Sequence, residues 1–398
     1  MPQVVLLALT VAALVLGHGA VRPSVAVAGA VAVGLASGVL GPSRAFDATR
    51  ALGAPIAFLL AAVPLAVLLG RIGFFDAAAE RFGGGPRLPL LLWVFAALVT
   101  TVFNLDASIV LLTPLYLRIA ARHGLDPLTV AYQPVLLASL ASSALPVSNL
   151  TNLIVADRLD ASAFEFARHL GPASLVATVV GWFSYRRFAR GRTAAPSTAS
   201  QLPVADGSNA ARNRRAFRIG LPAVGVLLVG FTLGDRAGLP AWTIAAAVVV
   251  VLAALERTVP WRSLPIDAVV IACGLAVLAE AAAPHLPLGT ILQGTGPLAD
   301  LRALSSGVVG ANAVNNLPAL LVGLPRVEHD TTWAFLAGVN FGPVLWITGS
   351  LAGLLWMDIV RHAGHDVSPI EYARVGLRVG APALLLAAAC VVLTGVVS

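Results

Sequence analysis

Residues 128–156 read LTVAYQPVLLASLASSALPVSNLTNLIVA, an apolar run longer than the roughly 20 residues that carry a helix across a bilayer. Its polar residues gather toward one end, at Ser139, Ser142, Ser143, Pro146, Ser148, Asn149, Thr151 and Asn152. Proline removes an amide donor, and serine and asparagine side chains compete for backbone groups. The pattern predicts a membrane span that unwinds near Leu145–Asn149 and offers amides and carbonyls to a polar solute. Hydroxyls bonding back to their own helix, with close helix packing, account equally well for Ser139 and Ser142. They account less well for the Ser148-Asn149 pair. Asn149-Leu150-Thr151 also matches a glycosylation acceptor, a match that its depth in the membrane makes accidental.

Composition agrees with a membrane chain. Of 398 residues, 58% are hydrophobic and 11% charged, against roughly 25% charged in soluble domains, and the mean hydropathy is +0.88. All 26 basic residues are arginine; lysine is absent. That excludes a Walker A loop and any lysine Schiff base. The net charge of +7 does not point to nucleic acid, because the arginines lie between apolar runs and face the membrane surface. Cys273 and Cys390, each in an apolar stretch, read as buried, inert thiols, with neither a disulfide framework nor a metal pattern. The apolar run Val4–Leu16 lacks a basic start and a clear cleavage site, and reads as a retained span.

Working outward, candidate spans fall at 3–20, 24–42, 54–72, 128–156, 172–188, 219–234, 240–256, 265–283, 332–357 and 377–397. Two further apolar stretches, 88–122 and 298–324, are interrupted halfway by Asn104-Leu105-Asp106 and by Asn312 to Asn316, and read as re-entrant hairpins. The expected fold is an all-α polytopic membrane protein: about ten transmembrane helices plus two re-entrant hairpins in inverted repeats. The first half, 1–189, holds the hairpin 88–122 and the broken helix 128–156. An Arg-rich linker, 190–217, follows, and the second half, 218–398, holds the hairpin 298–324 and the broken helix 332–357. The positive-inside rule makes the Arg-rich loop 186–218 cytoplasmic. It then leaves Arg44, Arg50, Arg158, Arg168, Arg236, Arg302 and Arg326 outside, opens the first hairpin to the cytoplasm and opens the second to the exterior. Inverted repeats with broken helices are a transporter architecture, and the expected location is the plasma membrane. Residues 157–169 read as a short interfacial helix.

Asp106 lies between flanks apolar enough to be in the membrane, where a carboxylate costs about 2.5–3.5 kcal/mol on insertion scales. It reads as a proton or cation site, or as the cap of a helix starting at Ala107. Asn104, Ser108, Ser148, Asn149 and Asn152 are substrate-binding candidates in the first half; Asn315, Asn316, Asn340, Thr348 and Ser350 are their counterparts in the second. Pro318 suits a first helical turn. Gly338 reads equally as a break and as a packing glycine. Asp267 and Glu280 read as solvated interface acids. Asp358, Arg361, His362 and His365 read as a span end, not a metal site.

Four motifs carry a resemblance. They are Phe103-x-x-Asp106 with Thr113-Pro114, Val147-Ser148-Asn149-Leu150-x-Asn152 with Ala156-Asp157, Asn315-Asn316-x-Pro318, and Gly342-Pro343 with Gly349-Ser350-Leu351-Ala352 and Leu354-Leu355-Trp356. Together the chain resembles the arsenite efflux permease (ArsB-like) family of the ion transporter superfamily, from about Phe46 to Val360. There are departures. The family's Ala-Asn-Asp-Gly tip is Asn104-Leu105-Asp106-Ala107 here, a family Asp stands as Ser139, and a Thr-Pro pair becomes Trp346-Ile347. Its Cys-Asp-Leu-Gly-Pro-Lys becomes Val339-Asn340-Phe341-Gly342-Pro343-Val344, which loses an acid and a base together.

The resemblance implies a secondary active transporter, not an enzyme, that exports arsenite, antimonite or a similar small inorganic solute in exchange for protons, with Asp106 as the coupling residue. No cofactor, metal or nucleic acid is implied. Sodium is the alternative coupling ion, and a sodium/proton antiporter or organic-anion carrier is the alternative within transport. A passive channel or a transport-inactive scaffold is the alternative of another class. A homodimer in the lipid bilayer is compatible with such a chain, as is a separate ATPase subunit, which nothing in the sequence indicates.

Overall fold

A computed structural model describes residues 1–16, 22–81, 83–190, 192, 208–234, 237–286 and 288–395. Most of the expected linker lies outside these residues, as do Arg236 and the end of the first candidate span. The chain is helical, with no strand among the described residues. Five helices open it: α1 (Pro2–Leu16), α2 (Pro23–Ala36), α3 (Pro42–Ala51), α4 (Gly53–Ile72) and α5 (Phe74–Glu80). The first hairpin is α6 (Leu88–Phe103) and α7 (Leu105–His123), and the first broken helix is α8 (Pro127–Leu140) and α9 (Leu150–Leu159). Then come α10 (Ala163–Ala189), α11 (Ser208–Leu233), α12 (Ala241–Glu256), α13 (Ile266–Ala282) and the short α14 (Gly289–Leu292). The second hairpin is α15 (Pro297–Val314) and α16 (Asn316–Gly323), and the second broken helix is α17 (Thr332–Phe341) and α18 (Leu351–His362). The chain closes with α19 (Pro369–Val375), a π turn at Gly376–Gly380 and α20 (Ala381–Gly395).

The hairpins and broken helices of the two halves interlace. α7 packs against α8 and also against α18, while α16 packs against α9. α17 touches α8, α9 and α15, and α10 runs beside α20. α15 and α17 approach backbone to backbone: a Cβ on Gly338 would stand 2.0 Å from the carbonyl oxygen of Leu304, and one on Gly307 2.5 Å from that of Phe335. Gly338 is thus a packing glycine, which settles its two readings. α4, α11 and α12 pack together on one flank of this unit, and α1, α2 and α13 on another. Leu221, Val229, Val250, Val251, Leu385 and Leu386 are exposed. In a chain this apolar, such outward faces meet lipid.

Several boundaries differ from the sequence reading. Residues 157–169 form no separate helix: α10 is one helix of 27 residues that carries Pro172 in its interior. Its start is set by Ser162, whose hydroxyl accepts from the amide of Glu165, and membrane helices tolerate interior proline. α3 and α5 are additional helices, and α2 ends at Ala36, well short of residue 42. Gly53–Ile72, Trp261–His285 and Pro369–Thr394 are, among the described residues, the helices long and apolar enough to cross a membrane unaided. The ten crossings read from the sequence therefore do not follow from helix length alone. Cys273 and Cys390 are free but half-buried, not fully buried. Asp267 is exposed and accepts from the hydroxyl of Ser24.

Candidate functional site

Each hairpin turns on a single asparagine. Asn104 has φ 86° and ψ 145°, and Asn315 has φ 78° and ψ 152°. This is left-handed backbone that favours glycine, and a side chain there costs on the order of 1–3 kcal/mol. The side chains tie the tips down. Asn104 Oδ1 accepts from the amide of Asp106 at 2.9 Å, and Asn315 Nδ2 donates to the carbonyl of Thr348 at 3.1 Å. The other half of each amide, Asn104 Nδ2 and Asn315 Oδ1, is buried and has no partner among the described residues. Glycine relieves the backbone at either tip. At Asn104 it weakens a cap by only a few tenths of a kcal/mol, and at Asn315 it gives up one hydrogen bond to the Thr348 carbonyl, about 0.5–1.5 kcal/mol. Asn104→Gly and Asn315→Gly are therefore expected to fold with a melting temperature little changed or raised. Loss of the amide is expected to lower transport. A tip variant that melts early, or that transports like the parent, would count against this site.

The two breaks share one backbone form. Leu145 is extended, Pro146–Ser148 make a 3-10 turn, and Asn149 is extended and caps α9 by accepting from the amide of Thr151. In the second half Trp346 is extended, Ile347–Gly349 turn, and Ser350 is extended and caps α18 by accepting from the amide of Gly353. Local chemistry explains the first break: Ser148 Oγ donates to the Leu145 carbonyl at 2.7 Å and accepts from the Leu145 amide.

An amide cluster joins the breaks. Asn340, near the end of α17, accepts at Oδ1 from Thr151 Oγ1 (2.7 Å) and Asn149 Nδ2 (3.2 Å), and donates from Nδ2 to Asn152 Oδ1 (2.6 Å). Asn152 Nδ2 donates in turn to the carbonyls of Ser142 (2.7 Å) and Leu145 (2.9 Å), which the break has freed. Asn312 Nδ2 donates to the carbonyl of Val308, one turn back in its own helix, and to that of Gly342 at the second break. Asn149, Thr151, Asn152 and Asn340 are buried where water is scarce, so each hydrogen bond among them is costly to lose.

The sequence that builds these broken helices and amide-tipped hairpins has counterparts among known proteins. The sequence model of the citrate transporter family matches residues 4–327. The chain belongs to the citrate transporter family. It is 28% identical over 373 residues to the arsenical pump membrane protein of Yersinia enterocolitica, with 85% of each chain covered. It is 27% identical over 376 residues to the arsenical pump membrane protein of Escherichia coli strain K12, again with 85% of each covered. A 46 kDa membrane protein of Mycobacterium leprae is 23% identical over 361 residues, covering 83% of this chain and 84% of that one. The resemblance to arsenite efflux permeases is thereby borne out, and the chain is a multi-pass membrane protein of a secondary-transporter family.

Within this citrate transporter family chain, hydrogen bonds bring Asn149, Asn152 and Asn340 into one cluster, and Asn315 with the Thr348 carbonyl into another. The remaining candidates are engaged within their own segments. Ser108 Oγ donates to the Asn104 carbonyl, Asn316 Oδ1 accepts from Leu317, and Ser148 and Ser350 serve their own turns. Asp106 is not the cap of α7; Asn104 is, and Asp106 stands in the first turn with a half-buried side chain and no ion pair among the described residues. Thr151, one of the polar residues gathered at the first break, joins the cluster through its hydroxyl, although it is not among the substrate-binding candidates. Thr100 escaped the sequence reading; its buried hydroxyl, like those of Ser142 and Ser143, has no partner among the described residues. Thr101 donates to the carbonyl of Ala141 at 3.1 Å, which sets the Thr100-Thr101 pair beside the Ser142-Ser143 pair.

The lost base has a structural counterpart. Val344 is fully buried, and a Cβ on Gly380 of the π turn would stand 2.5 Å from one of its methyls. Valine fills the space against that turn. A cavity of about 580 Å³ lies between α4, the α11–α12 connection and the first broken helix. Leu145 and Val147 line its inner end, and Asp157 and Asp160, at the far end of the ten-residue α9, line the other, about 15 Å along the helix.

Proposed function

We propose that this transporter exports arsenite, antimonite or a similar small uncharged inorganic solute in exchange for protons, by alternating access. The observation that carries the reading is the chemistry of the site. Amides and hydroxyls converge on the two breaks, and no arginine among the described residues hydrogen-bonds to them, in a chain without lysine. At neutral pH arsenite is mostly the trihydroxide, which such groups bind through donor and acceptor pairs. A citrate-like anion requires positive partners there. The relatives named as arsenical pump membrane proteins support the same choice.

Protons are favoured over sodium as the coupling ion. Sodium requires several clustered carbonyl oxygens, and those of Ser142, Leu145, Gly342 and Thr348 each give one of two lone pairs to an asparagine amide, which reduces what they offer an ion. Asp106 is then the group that gains and loses the proton. Matching tips and matching breaks support an inverted repeat. The interlaced packing supports motion of both hairpins and both broken helices as one body against α4 and α11–α13, with the cavity beside the first break as one access route. The Arg-rich segment is assigned to the cytoplasm by its charge.

Everted membrane vesicles carrying the protein are expected to accumulate arsenite when a proton gradient is imposed. Collapse of the gradient with an uncoupler is expected to release it, and excess citrate is expected not to compete. Accumulation indifferent to the gradient would remove proton exchange, and competition by citrate would remove the uncharged-solute reading.

A further inference from the structure

A second cavity, of about 330 Å³, lies between α1 and the second hairpin, away from the amide cluster. Ala8 and Val11 of α1 form one wall, Gly310 and Val314 of α15 another, and Ala319 and Val322 of α16 a third. The lining is almost wholly apolar. Empty, such a slot forfeits dispersion contacts on every wall, and the neighbouring medium is hydrocarbon.

Charge at its mouth specifies the occupant. Arg302 stands four residues before Ser306, which lines the cavity, and so lies on the same face of α15. Arg326 follows α16, and its Nη1 donates to the carbonyl of the lining residue Val322 at 3.2 Å. Arg302 Nη2 has a long contact of 3.4 Å to the carbonyl of Gln293. Neither arginine forms an ion pair among the described residues. The nearby carboxylate of Glu328 accepts from the amide of Gly294. Both arms of the hairpin therefore end in a guanidinium beside an apolar slot, and guanidinium groups match phosphate oxygens in pairs.

We propose that this slot binds one anionic phospholipid, with an acyl chain between α1 and the second hairpin and the phosphate held by Arg302 and Arg326. Val314 in its wall directly precedes the tip residue Asn315, so the lipid fastens α1 to the arm that carries the tip.

Native mass spectrometry of the full chain in detergent tests this with phosphatidylglycerol and phosphatidylcholine of equal chain length. One phosphatidylglycerol is expected to be retained in preference to phosphatidylcholine. The double variant Arg302→Ala, Arg326→Ala changes exposed or half-buried side chains and is expected to weaken that retention about tenfold. Ala8→Phe fills the slot and is expected to reduce retention of both lipids. Equal retention of the two lipids by the parent protein overturns the proposal, as does phosphatidylglycerol retention unchanged in the arginine double variant. Lipid retention is read without transport, so either result stands apart from the export reading.

Discussion

Asn340→Leu is expected to lower the melting temperature of the detergent-purified protein by roughly 10 °C, the largest stability loss expected of any single change in the amide cluster. The side chains are similar in size, and Asn340 is 2% exposed, so little volume changes. The loss comes from the partners. Asn149 Nδ2, Thr151 Oγ1 and Asn152 Oδ1 each lose a hydrogen bond where no water replaces it. Each buried orphan costs about 1–3 kcal/mol, giving on the order of 3–9 kcal/mol together. Asn340→Asp is the control: a protonated carboxyl accepts from Asn149 and Thr151 and donates to Asn152. That variant is expected to melt within a few degrees of the parent, measured by the same scanning method. Equal melting of the leucine and parent proteins would mean that the cluster does not hold the two breaks together.

Asp106→Asn is expected to abolish proton-driven accumulation of solute in everted vesicles, down to the level of vesicles lacking the protein, while leaving the fold in place. The cap of α7 survives, because it runs from the Asp106 amide to Asn104 Oδ1 and does not use the carboxylate. Removing a negative charge from a helix N-terminus costs only about 0.3–1 kcal/mol, too little to unfold a chain of this size. What disappears is a group able to exist with and without its proton inside the membrane. Solute flow down its own gradient is expected to persist in Asp106→Asn, which separates lost coupling from lost binding. Full gradient-driven accumulation in this variant would exclude Asp106 as the coupling residue.

The features read correctly from the chain are those whose causes lie within a few residues. Pro146 with Ser148-Asn149 predicts the first break because proline and self-bonding side chains act on their own turn, and the Leu145–Ser148 hydrogen bonds are that local effect. Asn104 and Asn315 mark the hairpin tips because apolar arms must reverse somewhere, and each reversal gathers polar residues. The misreadings have equally specific causes. Asp106 and Asn104 are both good caps, and the choice between them depends on a φ of 86° that no composition reveals. Residues 157–169 read as a short helix and 172–188 as a separate span, yet the cap at Ser162 starts one helix that runs from Ala163 to Ala189.

By itself, then, the sequence determined that this is an all-helical membrane chain with two interrupted helices and two amide-tipped hairpins. Hydropathy and local hydrogen-bond competition depend on residue type and near neighbours alone. Tertiary structure alone decided which polar residues meet. Asn340 lies 188 positions from Asn152, its hydrogen-bond partner, and nothing in either local stretch names the other. Burial in a medium without water makes every amide seek a partner, and the interlaced packing of the two halves selects it.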